Sequence, residues 1–531
     1  MRKPLRAICL GLILAAVFAA PSSVTLSGLI GSGYEALEDW RFQEADELAA
    51  QVSDLIGPDT DKESAATAYY FLGQYWFYHA DYRRALSELD QSKSSSGKTD
   101  ADFDKFYPRV QHLAELFADA QEKSSAHFVM RWVNPRDEVL VDSGLEALEQ
   151  AYSALAKDFN YTPPGEKILV EILPAPSDLA QAVGLDESMI KDSGTVAVCK
   201  FRRLMVTSPR ALAFGYEYQT TLSHELSHFF IFSLAGEQVP IWLHEGIAKY
   251  EESSYKNDPG RINPAPKSFL VTAIKNNELI TFQQMSPTFA QFKSPKQGQL
   301  AFAEVETYVG YLKQTCGQDS WFKIFDLLKK GTGDQQAVAA VCKQPFPAVW
   351  AGWKKWVLSQ GWPVIPGAVV LKLEFKEQEG KEEEEAASDE EPGKGSQYAR
   401  LGDLLRDRGS YRAAVVEYNK AIAYEPYSPT ILNKLGLGQL LAKDYQSAIA
   451  TLNRSAQVYP EYSSTYSRLG QAYLAAADDK NAILAFETAL GLNPFNPGPY
   501  NNLYGLYSKA GDKAKADTMA RDLEIIKRKN K

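Results

Sequence analysis

A 34-residue repeat near the C-terminus restricts the fold more than any other feature of this sequence. A Leu-Gly pair, an alanine and a proline each recur at that spacing: Leu401-Gly402, Leu435-Gly436 and Leu469-Gly470; Ala414, Ala448, Ala482 and Ala516; Pro426, Pro460 and Pro494. A single helix pair cannot bury its apolar stripe, so pairs that repeat at this period must stack on one another. The sequence therefore predicts an all-α solenoid here.

The pattern of this region resembles the tetratricopeptide repeat. We count three full repeats and a partial fourth, the cap, within residues 397–531. An irregular copy of the same pattern lies in residues 31–122, where Gly73 precedes Ala85 by the same interval that separates glycine and alanine in the C-terminal repeats. The resemblance implies two solenoids, whose surfaces would bind a protein partner or substrate.

A histidine-rich segment, Thr221–Tyr250, lies between the two repeat regions. It contains an H-E-x-x-H motif, His224-Glu225-Leu226-Ser227-His228, on a stretch without proline or internal glycine, so we expect a helix over Tyr218–Leu234. Histidines four residues apart project from the same face of a helix at adjacent turns. Such a pair can bind one divalent ion through two nitrogens.

A third ligand is expected from Glu245, which follows His228 on a second predicted helix, Ile241–Ser253. Two histidines and one carboxylate leave a fourth position open, which is typical of catalytic rather than structural zinc. Glu225 lies about 100° round the helix from His224, where it can reach the open position without binding the metal. It is the predicted general base and acid, and we expect one zinc per chain.

The residues around Glu245 carry a second resemblance. The stretch Trp242-Leu243-His244-Glu245-Gly246 after the H-E-x-x-H motif resembles the gluzincin metallopeptidases, and Pro240-Ile241-Trp242-Leu243 brings it closer to the bacterial peptidase MA-like domain. The resemblance implies zinc on His224, His228 and Glu245, with Glu225 catalytic. His244 is expected beside the ligands or at the surface, and Glu251 either orients a ligand histidine or is solvated.

Two departures from the aminopeptidases favour an endopeptidase. The gap between His228 and Glu245 is 16 residues, shorter than in those enzymes, and no glycine-rich exopeptidase segment precedes the zinc helix. A hairpin strand, Thr195–Cys199, could present its free edge to an extended peptide. For the oxyanion donor the candidate is Tyr308 and the rival Tyr311, with burial in the core as the alternative for either.

The elements that precede the zinc helix predict an α+β domain. Strand, helix, strand and hairpin follow one another in the chain: Phe128–Trp132, Gly144–Phe159, Lys167–Leu173, and Thr195–Cys199 with Leu204–Ser208. Helices are expected after Glu245, at about Ala265–Asn276, Ala301–Gln314, Asp319–Lys329 and Phe346–Gln360. The predicted fold is a zincin-like metallopeptidase domain over residues 126–367, flanked by the all-α repeats.

Two further segments, residues 1–20 and residues 376–396, are expected to serve targeting and connection between domains. Residues 1–20 combine basic residues, the apolar run Ala7–Phe18 and small residues, which is typical of a signal peptide. Export to the periplasm or the extracellular space follows, with membrane attachment only if the signal stays uncleaved. Residues 376–396 are an acidic linker, and the net charge of −10 argues against a nucleic-acid partner.

After removal of the signal, three cysteines remain. Export would permit a disulfide between Cys316 and Cys342, and buried free thiols are the alternative. The sequence thus indicates an exported zinc peptidase whose repeats dock a protein substrate or partner. The alternative is a catalytically silent envelope scaffold that uses the same repeats for protein–protein interaction.

Overall fold

A computed structural model of the chain describes residues 25–292, 294–371, 373–376 and 393–528. The predicted signal peptide and most of the predicted acidic linker lie outside these residues. The chain divides into two compact units, Met1–Phe103 and Asp104–Lys531. Within the described ranges no helix is both long enough and apolar enough to cross a membrane.

The first unit contains two helix pairs. Its helices are α1 (Leu26–Glu38), α2 (Phe42–Leu55), α3 (Lys62–Tyr78) and α4 (Tyr82–Ser96). The small residues of the repeat pattern lie where paired helices touch: Ala45 and Ala85 are fully buried, and a Cβ atom on Gly73 would collide with the side chain of Leu89. These contacts have the character that the tetratricopeptide resemblance implies.

The second unit begins with a five-stranded sheet. Its strands are β1 (Gln121–Ser124), β2 (Phe128–Trp132), β3 (Ile168–Leu173), β4 (Ala197–Lys200) and β5 (Arg203–Thr207), in the spatial order β1-β2-β3-β5-β4. Strands β2, β3 and β5 are parallel, whereas β1 and β4 pair antiparallel to their neighbours. Strand β4 is therefore an edge strand, and it corresponds to the predicted hairpin strand Thr195–Cys199.

One predicted boundary is wrong. The helical region predicted over residues 31–122 ends with α5 (Ala101–Leu116), and Gln121 instead pairs with Trp132 in the sheet. The chain from β1 onward thus belongs to the sheet rather than to the preceding helical region.

Helices surround this sheet and continue the chain beyond it. They are α6 (Val141–Asp158), α7 (Pro176–Val183), α8 (Glu187–Ser193), α9 (Tyr218–Ala235), α10 (Ile241–Glu251), α11 (Pro264–Asn276), α12 (Phe282–Met285), α13 (Pro295–Cys316), α14 (Ser320–Leu328), α15 (Asp334–Cys342) and α16 (Phe346–Ser359). Helix α9 packs against α6 and α10, and α10 packs against α13. A disulfide between Cys316 and Cys342 joins the ends of α13 and α15.

Gly246 allows α10 and α13 to approach closely. A Cβ atom at this position would lie 2.9 Å from the carbonyl oxygen of Val305 and 2.8 Å from a methyl carbon of Val309. Backbone cannot yield as a flexible side chain can, so glycine is required here. The contact fixes the helix that carries Glu245.

The repeat array contains four helix pairs. They are α17 (Lys394–Asp407) and α18 (Tyr411–Tyr424), α19 (Pro429–Leu441) and α20 (Tyr445–Val458), α21 (Ser463–Ala475) and α22 (Asp479–Leu492), and α23 (Pro497–Ala510) and α24 (Lys513–Ile526). The recurring alanines Ala414, Ala448 and Ala482 are fully buried between neighbouring helices. The predicted α+β domain with all-α repeats is confirmed.

The array packs by its loops against the rest of the second unit. Tyr459 and Tyr462, between α20 and α21, share an apolar cluster with Ala265 and Phe269 of α11. The hydroxyl of Ser463 donates a hydrogen bond to the carbonyl oxygen of Phe214, at 3.1 Å. Sheet, helices and repeats therefore form one continuous body from Asp104 onward.

Candidate metal centre

Three side chains from α9 and α10 converge in the second unit. The Nε2 atoms of His224 and His228 lie 3.5 and 3.6 Å from the same oxygen, Oε2 of Glu245. The three ligand atoms all lie within 4.8 Å of one another. Helical spacing places the histidines on adjacent turns of α9, and the turn before α10 brings the glutamate against them.

The separations of these atoms fit a zinc ion. Ligands that bind zinc tetrahedrally at about 2.1 Å are separated from one another by about 3.4 Å. The two nitrogen-to-oxygen distances are close to that value, and two imidazoles with one carboxylate are a ligand set that catalytic zinc uses. The side chains are 14–18% exposed, so solvent reaches the cluster.

The inner nitrogens of both histidines lie close to polar side chains. Nδ1 of His224 lies 3.3 Å from Oε2 of Glu252, whose other oxygen accepts a hydrogen bond from Lys249 at 2.6 Å. Nδ1 of His228 lies 2.6 Å from Nδ1 of His244. With a proton on each ligand's Nδ1, both Nε2 lone pairs face the point where the three ligand atoms meet.

The electrostatics of the cluster favour a positive charge. Burial lowers the pKa of His224, but hydrogen bonds to Glu245 and Glu252 outweigh it and raise the pKa to about 10. Burial likewise opposes ionisation of Glu245, yet His228 and His224 hold the pKa of that carboxyl well below its usual range. A cation that binds these atoms would replace the proton on His224 in surroundings that already stabilise positive charge.

The side chain of Glu225 extends from α9 towards the edge strand β4. Its side chain is buried, and burial raises the pKa of the carboxyl group, while the histidines and the backbone N–H of Cys199 partly offset that rise. Because Cys199 belongs to β4, the carboxyl group faces the edge of the sheet. A carboxylate with a raised pKa beside a metal cluster can accept a proton and later release it.

The two tyrosines considered as oxyanion donors have the surroundings of packed residues. Tyr308 has no exposed surface, its ring packs against Trp242, Trp350 and Trp353, and its hydroxyl lacks a hydrogen-bond partner among the described residues. These are the surroundings of a core residue and not of a group that meets substrate. The rival Tyr311 packs against Trp356. The prediction of an oxyanion donor at either tyrosine is therefore not supported.

Glu252, rather than Glu251, is the carboxylate next to His224. Glu251 instead lies 3.5 Å from Nζ of Lys313 and accepts a hydrogen bond from Ser254. At 100° per residue, a position seven residues after Glu245 returns to the same face of α10, whereas a position six residues after it does not. That spacing was the signal in the sequence that would have identified Glu252.

The remaining histidines lie away from the cluster and meet carboxylates of their own. His112 lies 2.8 Å from Asp178, and His127 lies 2.6 Å from Glu149. In the first unit, His79 lies 3.1 Å from Asp46. These contacts suit structural roles for the three histidines, away from the cluster.

Comparison with known families agrees with this architecture. Residues 147–359 match the peptidase MA superfamily, residues 402–440 match the TPR repeat, and residues 463–496 match the tetratricopeptide repeat. The chain therefore contains a peptidase MA superfamily domain followed by tetratricopeptide repeats. As the sequence resemblance implied, it combines a peptidase MA superfamily domain with repeats of a protein-interaction type.

Solved structures similar to the chain are repeat proteins. MamA from Desulfovibrio magneticus RS-1 is 22% identical, over 25% of this chain and 76% of its own, with a TM-score of 0.24. The first TPR of Spaghetti (RPAP3), bound to an HSP90 peptide, is 24% identical over 22% of this chain and 94% of its own, with a TM-score of 0.22. A thermophilic TPR protein of Thermus thermophilus is 22% identical over 25% of this chain and 74% of its own, with a TM-score of 0.23. No curated protein matches the chain.

Proposed function

We propose that this chain is an exported zinc-dependent endopeptidase. His224, His228 and Glu245 would hold one zinc ion, and Glu225 would be the catalytic base. The observation that carries the proposal is the convergence of both Nε2 atoms on one oxygen of Glu245, at 3.5 and 3.6 Å. The match of residues 147–359 to the peptidase MA superfamily supports the reaction class.

Zinc in such a site supplies Lewis acidity, which polarises a scissile carbonyl and makes a water molecule easier to deprotonate. The chain's own groups handle the protons. The Glu225 carboxylate takes a proton from the attacking water and returns it to the nitrogen of the leaving amine. Because its pKa is raised by burial, the protonated form is accessible, which the second transfer requires.

Strand β4 suits an extended substrate. It is the last strand of the sheet, so the side away from β5 is not paired with another strand among the described residues. A peptide that adds to this edge would gain main-chain hydrogen bonds while it passes Glu225, which faces Cys199 of the same strand. Binding along a strand edge requires no free terminus, and this supports an endopeptidase.

Metal content and one substitution test the proposal. The purified full-length chain should contain about one zinc per molecule. Glu225→Gln should keep the zinc but cleave an unfolded protein such as casein at least about 100-fold more slowly. Glu237→Gln, at an exposed position just after α9, is the matched control and should leave cleavage unchanged. Absence of zinc from the wild type under metal-replete conditions would refute the proposal.

Export is part of the proposal. It rests on the pattern of residues 1–20, and the disulfide between Cys316 and Cys342 suits an oxidising compartment. Fractionation of producing cells should find the chain outside the cytoplasm, shortened by about 20 residues or held at the membrane by an uncleaved signal. Recovery of the intact chain from the cytoplasm would contradict it.

The four helix pairs after residue 393 favour a second candidate, a silent scaffold that docks a protein partner. The two candidates differ in what removing the base would do. In the scaffold, cells carrying Glu225→Gln would behave like wild type, while deletion of residues 395–531 would have a phenotype. If the chain is a peptidase, Glu225→Gln by itself, without the deletion, would already have a phenotype.

A further inference from the structure

The metal ligand His228 has an inner nitrogen that meets another histidine rather than a carboxylate. Nδ1 of His228 and Nδ1 of His244 are 2.6 Å apart, and the two rings lie 4.7 Å apart at an angle of 30°. The other ligand histidine, His224, meets the carboxylate of Glu252 in the equivalent position. The two ligands of one cluster are thus oriented by groups of different chemistry.

We propose that His244 is a positioning residue for the metal ligand His228, whose Nδ1 hydrogen it accepts with its own Nδ1. The proposal rests on the zinc site described above. It assigns to His244 a role at one atom, which neither its place in the sequence nor the resemblance to other peptidases provides.

The direction of this hydrogen bond follows from the ligand geometry. Nε2 of His228 faces Glu245, so its lone pair must be free for a metal there. A neutral imidazole has one protonated nitrogen, so the hydrogen of His228 must then be on Nδ1. Since the two Nδ1 atoms share one hydrogen, His244 must accept it and carry its own hydrogen on Nε2.

The same contact excludes His244 from the ligand set. Nδ1 of His244 contacts Nδ1 of His228, whereas the other ring nitrogen of His228, Nε2, faces Glu245. His244 therefore orients a ligand and fixes its tautomer, as hydrogen-bonded partners of metal-binding histidines generally do. It does so although it directly precedes the ligand Glu245 on α10.

The side-chain geometry of histidine supplies a sharp set of variants. The amide oxygen of asparagine can occupy the position of Nδ1, whereas that of glutamine reaches the position of Nε2. His244→Asn should therefore preserve the acceptor, His244→Gln should misplace it, and His244→Phe should remove it while it keeps a ring. His127→Phe, at a histidine that meets Glu149 away from the cluster, is the matched control.

Zinc affinity of the full-length chain is the readout, measured by competition with a chromophoric chelator. We expect His244→Phe and His244→Gln to bind zinc about 10- to 100-fold more weakly than wild type. His244→Asn should bind within about three-fold of wild type, and His127→Phe should be unchanged. In the cobalt-substituted protein, the visible absorption bands should change in the first two variants and be retained in His244→Asn.

The outcomes separate this inference from the proposed function. If the wild type binds no zinc, the metal site itself is wrong. If the wild type binds zinc and His244→Phe binds it equally well, only the role of His244 is refuted. Equal affinity of the asparagine and glutamine variants would also refute it, and that comparison decides if His244→Phe does not fold. Melting temperatures measured with a chelator present will show whether each metal-free variant folds.

Discussion

Glu304 should make the stability of the second unit depend on pH. This residue of α13 is fully buried, and its Oε1 accepts a hydrogen bond from the backbone N–H of Ile280 at 2.9 Å. Its Oε2 has no hydrogen-bond partner among the described residues. Burial raises the pKa of the carboxyl group to about 8 from an ordinary value of 4.5, and the single hydrogen bond offsets only part of that rise.

The sign and the size follow from proton linkage. A carboxyl group with a raised pKa keeps its proton in the folded chain over a range in which the unfolded chain has lost it. Stability therefore falls as the pH rises from about 4.5 to about 8. A shift of this size corresponds to at most about 5 kcal/mol at about 1.4 kcal/mol per pKa unit, and most of it develops between about pH 5 and pH 8.

Glu304→Gln removes the titration but keeps an oxygen that can accept the hydrogen bond from Ile280. At pH 5 the variant and the wild type should melt at similar temperatures. At pH 8 the variant should be more stable by roughly 2–4 kcal/mol, which is several degrees for a body of this size.

The assay is calorimetric melting of both proteins at several pH values. Glu524→Gln, at an exposed position on α24, is the control for loss of one negative charge and should follow wild type. A difference between Glu304→Gln and wild type that is the same at pH 5 and pH 8 would refute the reasoning.

Three further predictions concern the cluster and its support. Glu252→Gln should weaken zinc binding about 10-fold in a chelator competition, whereas Glu251→Gln, one residue away but off the ligand face, should not. Gly246→Ala should destabilise the second unit by about 1–3 kcal/mol, as read from its melting temperature. Gly298→Ala, where a Cβ atom meets nothing, should be neutral or stabilising, and equal effects at the two glycines would contradict the packing argument. Tyr462→Ala should lower the free energy of unfolding by about 3 kcal/mol. The melting temperature of one shared transition, of the repeats and the domain that contains α11, should fall with it. A transition of that domain that does not move would contradict their packing as one body.

The sequence predicted those parts of the site that depend on spacing along a helix. The four-residue interval of His224 and His228, and the position of Glu245 on the next helix, were sufficient to predict a cluster. The same geometry also predicts Glu252, because seven residues return to the same face of α10. Periodicity likewise predicted the repeats, since their small residues recur wherever paired helices touch.

What could not be predicted depends on contacts between distant parts of the chain. Strand β1 has exposed side chains throughout and no apolar alternation, so only its pairing with β2 defines it. Tyr308 occupies a helix position that would suit either a core or a site residue. Three tryptophans from other helices decide that it belongs to the core.

The contacts of the repeat array bear on the candidate metal cluster through the segment that leads into α9. Ser463 binds the carbonyl oxygen of Phe214, and the ring of Tyr462 lies 6.0 Å from that of Phe214. The next residue, Gly215, has a φ of +66°, and a Cβ atom on it would lie 2.8 Å from the side chain of Asn493. Both its backbone conformation and this contact therefore require glycine. Two loops of the array thus contact the segment just before α9, the helix that carries His224 and His228. The repeats thus form part of the structure that positions the cluster, in addition to any surface they offer a partner.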